Sequence, residues 1–200
     1  MIRNAYAEAA TLFVETVARV QGHQWQQMAL GEWTVRDLVG HTNRALLTVE
    51  MYLDKPAKSI ELTRPMDYFL RAKASLGDPA AVAERGREAG KALGDEPAAV
   101  VRTTATRVLA RLAGEPDTAL VTTPVGGMRL IDYLPTRIFE LTIHTLDLAA
   151  AVSVEVTVSD TAAQLVFAIV GDLAWQTGKT APLLLATTGR GPLPAGFSVL

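Results

Sequence analysis

Residues 130–151 read LIDYLPTRIFELTIHTLDLAAA, and this stretch decides the fold. Its apolar residues recur with the period of a helix, and Pro135 is its internal irregularity. Apolar side chains lie on almost every side of that helix, among them Ile138, Phe139, Leu141 and Ile143. The helix is therefore expected to be buried on most sides, inside an all-α domain.

A second helix is indicated where Thr34 precedes Asp37 by three residues, because Thr34 can cap the first free amides and Asp37 can bond back. This helix is expected to run to about Leu53. Similar signals predict a helix over about 5–20 and another from Pro97 to Gly114. Two shorter helices are predicted within 66–93, separated near Gly77-Asp78-Pro79. Two more are predicted over about 159–177 and 182–188. Val, Leu and Thr before Gly126-Gly127 predict one short extended segment near 119–128.

The length and composition favour a single domain. The chain has 200 residues, of which 49% are hydrophobic, enough for one substantial core. We expect the helical bundle to occupy residues 1–155, and helices and a tail over 156–200 to pack on the same domain. With 21 acidic against 19 basic residues and no basic stripe, nucleic acid is not an expected partner.

Two features of the sequence limit its setting and its chemistry. Charged residues interrupt the apolar N-terminus, so we expect no signal peptide, no membrane span and a cytoplasmic protein. Cysteine is absent, so the chain has no thiol of its own. Any thiol chemistry must therefore use a cosubstrate.

Glu140, His144 and His41 are the candidate metal ligands. Glu140 and His144 are four residues apart on one helix, so both project from the same face, and His41 comes from another helix. A glutamate and a histidine at the spacing of Glu140 and His144 also form an ordinary hydrogen bond without a metal. A lone histidine such as His41 is more often a structural residue than a metal ligand. A carboxylate among apolar groups, however, needs a cation or donor to offset its desolvation.

Two aspartates could orient the histidines. A metal-bound imidazole gives its other N–H to an acceptor, and Asp37 lies four before His41 while Asp147 lies three after His144. The alternative for Asp37 is the helix cap. Two histidines and one carboxylate leave coordination positions open, as in catalytic zinc sites, although the sequence does not separate zinc from nickel or iron.

Arg137 and Arg190 are candidates for binding an anionic group, with a solvated or helix-terminal arginine as the alternative for each. His23 is expected to be solvated. The tryptophans at 25, 33 and 175 are expected to pack in the core and at the bundle end.

The motifs WTVRDLVGH (33–41) and RIFELTIHTLDLA (137–149) resemble the mycothiol-dependent maleylpyruvate isomerase family of the DinB-like superfamily, and so does the ending LLLATTGRGPLPAGFSVL (183–200). The resemblance implies a DinB-like four-helix bundle with additional short helices. It also implies a zinc-type site at His41, Glu140 and His144, with a mycothiol-type thiol as cosubstrate. Thiolate addition to maleylpyruvate, rotation and elimination would give fumarylpyruvate.

The resemblance leaves the substrate open. Characterised isomerases of this family carry a further sterol-carrier-like domain with a substrate-binding arginine, and 200 residues leave little room for one. The leading hypothesis is an isomerase or thiol S-transferase acting on a small electrophile. The alternatives are a non-catalytic metal- or ligand-binding protein and a structural helical module without metal, in each case as a monomer or homodimer.

Overall fold

The computed structural model describes residues 1–76 and 78–200 and is mostly helical, which confirms the predicted all-α class. Within the described residues the helices are α1 (Ile2–Ala18), α2 (Val35–Leu53), α3 (Pro65–Leu76), α4 (Pro79–Ala92), α5 (Pro97–Ala113), α6 (Leu130–Val152), α7 (Asp160–Gln176) and α8 (Thr180–Thr187). Two antiparallel hairpins join them, β1 (Met28–Leu30) with β2 (Trp33–Thr34), and β3 (Leu120–Thr123) with β4 (Gly126–Arg129). A 3₁₀ turn spans Gly22–Gln24.

Four helices form the bundle, and the core lies between them. Helices α1 and α2 each contact both α5 and α6, so the four surround a common interior. That interior is filled by fully buried side chains from all four helices, including Tyr6, Phe13, Leu38, Leu46, Val108, Leu134, Ile138 and Leu141. Helix α4 packs on the outer side of α2, and α3 and α7 pack on α6. This arrangement agrees with the predicted four-helix bundle with additional helices.

The start of α2 is fixed by the predicted capping box. The Thr34 hydroxyl accepts from the Asp37 backbone N–H at 3.2 Å, and Asp37 accepts from the Thr34 N–H at 3.0 Å. Since this cap sets the first residue of α2, it also sets the direction in which His41 projects, two turns later. The result is that His41 faces α6 near the end of the bundle.

Helices α2 and α4 touch through their backbones. A Cβ atom added to Gly40 would lie 2.3 Å from the Gly90 nitrogen and 2.4 Å from the carbonyl carbon of Ala89. A Cβ atom on Gly86 would lie 2.3 Å from the ring of Trp33. Only glycine permits these approaches. They bring α4 against the half of α2 that carries His41.

The β3–β4 hairpin confirms the extended segment predicted near 119–128. The expectation that this segment would be the only one is wrong, because β1–β2 forms a second hairpin. Residues 28–34 show no alternation of apolar and polar residues long enough to indicate strands. They are held instead by their turn, in which Gly31 has a φ of +54°, and by bonds from the first amides of α2 to the carbonyls of Trp25 and Gln27.

The remaining boundaries follow the predicted signals closely. Pro79 opens α4 behind the capping side chain of Asp78, while Gly77, the third member of the predicted break, lies outside the described residues.

Helix α7 contacts α6 and α1, and α8 contacts α7. The division at residue 155 stays a prediction. Among the described helices, none is both long and apolar enough to cross a membrane.

Candidate metal centre

The structure brings His41, Glu140 and His144 together where α2 faces α6. Each offers one ligand atom, and the three atoms lie within 4.8 Å of one another. The Nε2 atom of His144 is 3.3 Å from Oε2 of Glu140, and Nε2 of His41 is 3.9 Å from the same oxygen. Glu140 and His144 are one helical turn apart on α6, whereas His41 comes from α2. The three side chains therefore converge from two helices.

Asp147 orients the ring of His144. Its Oδ2 lies 3.0 Å from Nδ1 of His144. An ionised carboxylate can only accept a hydrogen bond, so Nδ1 must carry the proton that it donates. This contact turns Nε2 of His144 toward Glu140 and leaves Nε2 free to act as a ligand in the neutral ring.

His41 is held differently. Within the described residues neither of its ring nitrogens has a hydrogen bond, and Nδ1 is fully buried. Asp37 is occupied by the cap of α2, accepting from both the amide and the hydroxyl of Thr34. The ring of His41 packs instead against Trp33, with 4.4 Å between the ring centres.

Trp33 is the contact that the sequence did not indicate. It is buried, donates from Nε1 to the Ala83 carbonyl at 2.9 Å, and also lies 6.4 Å from the ring of His144. The packing expected of Trp33 is correct, but nothing in the spacing showed that it would touch the histidines. The expectation fails for Trp175, which is 66% exposed because it lies on the outer face of α7.

The three groups have strongly perturbed proton affinities. Burial, and repulsion by His144, lower the pKa of His41 to about 4. Burial opposes charge on the other two groups, but their polar partners outweigh it. The hydrogen bond with His144 and the charge of Arg137 lower the pKa of Glu140 to about 2, and the hydrogen bonds with Asp147 and then Glu140 raise the pKa of His144 to about 9. At neutral pH His41 is neutral and both Glu140 and His144 are charged.

The residues fit a divalent metal ion. Two imidazole nitrogens and a carboxylate oxygen are a donor set that zinc and neighbouring divalent metals accept. His41 supplies an independent indication, because a largely buried imidazole without any hydrogen bond is costly unless another partner completes it. A metal on Nε2 of His41 would be such a partner.

The candidate centre opens into a cavity of about 430 Å³ between α2, α3, α4 and α6. His41 and Glu140 form part of its wall, beside Arg137. A larger hollow of about 610 Å³ lies between the β1–β2 turn and α4, but it includes none of the three converging residues. The cavity next to His41 is therefore the space in which a substrate would meet a bound metal.

The two predicted arginines lie in very different places. Arg137 is buried in the cavity wall, between the rings of Tyr68 and Tyr133. Arg190 is exposed in the tail after α8 and donates to the Thr188 carbonyl, away from the cavity lining. His23 is exposed, as expected.

Comparison with known proteins places the same region in one family. The family described as the mycothiol maleylpyruvate isomerase N-terminal domain matches residues 6–149, well over half of the chain. This range includes nearly all of the bundle and all three converging residues, and it stops before the tail that contains Arg190. No curated protein and no solved structure matches the chain.

Proposed function

The chain belongs to the mycothiol maleylpyruvate isomerase N-terminal domain family, and we propose that it is a metal-dependent enzyme that uses a mycothiol-type thiol to act on a small electrophile. The supporting observation is the convergence of His41, Glu140 and His144, two of which, His41 and Glu140, line a cavity large enough for an organic molecule. The reaction is either isomerisation of a maleylpyruvate-like double bond or transfer of the thiol to the electrophile. Zinc is the proposed metal.

Each residue of the centre has a role in such a reaction. An ion bound by two histidines and a carboxylate keeps open positions and lowers the pKa of a water or thiol that binds there. Glu140 contributes its charge, since it stays ionised across the physiological range. Asp147 fixes the tautomer of His144, and Trp33 holds the ring of His41 by packing.

The cavity supplies the remaining requirements of such a reaction. Tyr68 and Phe69 line it together with the aliphatic parts of α2 and α4, so an electrophile inside would be partly shielded from water. The chain has no cysteine, so the thiol would have to enter as a separate molecule. Binding both reactants in one cavity would replace a bimolecular encounter with a positioned reaction.

Thiol-dependent turnover tests this function directly. The purified protein, loaded with zinc, is assayed with mycothiol and maleylpyruvate, and with a panel of other small electrophiles. We expect turnover that requires the thiol, and a fall of about 100-fold or more in kcat/KM for His144→Ala. The exposed His23→Ala variant is the matched control and should keep the wild-type rate.

Two results would contradict the proposal in different ways. Turnover that is unchanged in His144→Ala would exclude the metal centre as the reaction site. Full metal binding without thiol-dependent turnover of any electrophile would support the second candidate, a non-catalytic metal- or ligand-binding protein. The cytoplasmic location, the monomeric or homodimeric state and the division of the chain at residue 155 remain parts of the proposal.

Metal affinity is expected to rise about tenfold per pH unit between roughly pH 6 and 8. The pKa of His144 is raised to about 9, so in this window a metal must displace one proton from that ring. His41, with a pKa lowered to about 4, and Glu140, with a pKa of about 2, have already lost their protons. Competition titrations at pH 6, 7 and 8 measure the slope, and an affinity that is independent of pH would contradict it.

A further inference from the structure

Arg137 is a buried cation with unused hydrogen-bond donors. Its side chain is 7% exposed, and its one hydrogen bond within the described residues runs from Nε to the Thr136 hydroxyl at 3.0 Å. Its guanidinium carbon lies 5.2 Å from the ring centre of Tyr68 and 5.0 Å from that of Tyr133. The four N–H bonds on its two terminal nitrogens therefore have no partner in the described part of the chain.

Such a group is costly without an anion. Aromatic faces stabilise a guanidinium by only a fraction of what removal from water costs, and buried arginines are normally paired with a carboxylate. The nearest acid on the same helix, Glu140, is directed to His144; its charge interacts with that of Arg137 over a distance, but the two side chains form no ion pair. The two tyrosines thus hold the fork of Arg137 in place while leaving its outer edge open.

That edge belongs to the cavity that also contains His41 and Glu140. Glu140 is the one acidic side chain in the described lining, to which the C-terminal residue Leu200 also belongs, against the basic side chains of Arg44, Lys73 and Arg137. Arg44 and Lys73 form no ion pair within residues 1–76 and 78–200. A space with this excess of positive charge attracts small anions.

The spacing along α6 relates the guanidinium to the metal centre. Arg137 lies three residues before Glu140 and seven before His144, a rise of about 4.5 and about 10.5 Å along the helix axis. A small molecule whose anionic group binds Arg137 would need a chain of only a few bonds to reach the metal-binding atoms of Glu140 and His144. The cavity therefore favours a short molecule with a charged end and a reactive end.

We propose that Arg137 binds a carboxylate of the organic substrate through its two terminal nitrogens, and so selects electrophiles that carry a carboxylate away from the reacting atoms. Arg137 is a specificity-determining residue in this assignment. That the bound anion is the electrophile rests on the proposed function, whereas the anion subsite itself rests only on the buried guanidinium and the cavity. A planar carboxylate matches the fork of arginine better than the point charge of lysine.

Binding of succinate, compared with its neutral diamide succinamide, tests the subsite by isothermal titration calorimetry. Metal-free protein is used as well as zinc-loaded protein, because a carboxylate can also coordinate a metal. In both forms we expect wild-type protein to bind succinate at least about tenfold more tightly than succinamide. Arg137→Met should remove this preference and Arg137→Lys should retain part of it. Arg64→Gln, a change at an exposed arginine outside the cavity, should leave it intact.

The outcomes separate this proposal from the proposed function. A wild-type protein that fails to bind succinate, or does not distinguish it from succinamide, overturns the subsite whether or not the variants fold. Equal succinate affinity in wild type and folded Arg137→Met, judged by circular dichroism, also overturns it. If succinate binding depends on Arg137 but the protein neither binds metal nor turns over a thiol, the subsite stands and the proposed function fails. If thiol-dependent turnover is present but KM for a carboxylate-bearing electrophile is unchanged in Arg137→Met, the function stands and the subsite fails.

Discussion

Replacing His144 with alanine is expected to reduce bound zinc from about one equivalent per chain to less than about a tenth of that. Three protein ligands are the minimum that zinc sites usually keep, and His144→Ala leaves only two of the converging ligands, His41 and Glu140. The variant also leaves the half-buried Glu140 without its partner His144, which disfavours the ionised ligand. Elemental analysis of untagged protein, after zinc loading and removal of excess metal, measures the change.

The same loss is expected for His41→Ala and Glu140→Ala, because each removes one of the converging ligand atoms. His23→Ala is the control, since it removes an exposed histidine and should keep the wild-type zinc content. Asp147→Asn should reduce affinity by a smaller factor, about 10- to 100-fold, because it disturbs the orientation of His144 rather than the ligand itself. Wild-type protein that holds no metal even after reloading would refute the metal centre.

Gly40→Ala is expected to destabilise the fold by about 3 kcal/mol or more. The added methyl group would lie 2.3 Å from the backbone nitrogen of Gly90 and 2.4 Å from the carbonyl carbon of Ala89. Backbone atoms of a packed helix cannot rotate away as a flexible side chain can, so α4 would have to move off α2. Urea unfolding followed by circular dichroism, with the slope compared between variants, measures the free energy of unfolding.

The matched control is Gly171→Ala, in the interior of α7. A Cβ atom at Gly171 meets nothing within 4 Å, and its φ is not in the left-handed region. Alanine loses less backbone entropy than glycine in a helix, so this substitution should stabilise the protein by about 0.5 to 1 kcal/mol. The two glycine-to-alanine substitutions, both in helices, would then change the free energy of unfolding in opposite directions. A Gly40→Ala protein as stable as wild type would show that the α2–α4 contact is looser than described.

The helices could be predicted because their signals are local. The Thr34 and Asp37 box and the apolar period of residues 130–151 lie within single helices, and the structure forms both as expected. The β1–β2 hairpin lacked such a signal, since its short strands depend on the start of α2 and on one glycine turn. Local patterns therefore predicted the bundle but not every connection within it.

The candidate centre was predictable only in part, for the same reason. The spacing of Glu140 and His144 places them on one face of a helix, and a family resemblance added His41. The burial of Arg137 depends on Tyr68, which belongs to a different helix and is far away in sequence. The packing of Trp33 on His41 likewise depends on how β2 leads into α2. No spacing rule within one segment could have shown either contact.

The convergence of α2 and α6 has a consequence for the stability of the whole chain. His41 and Glu140 are separated by about a hundred residues, so an ion shared between them would close a long loop of the unfolded chain. In a protein without cysteine, such an ion would be the counterpart of a disulfide, but a reversible one. Its contribution would scale with the free metal concentration, about 2.7 kcal/mol at 100 times the dissociation constant. The fraction of chains that are folded would then follow the zinc supply of their surroundings.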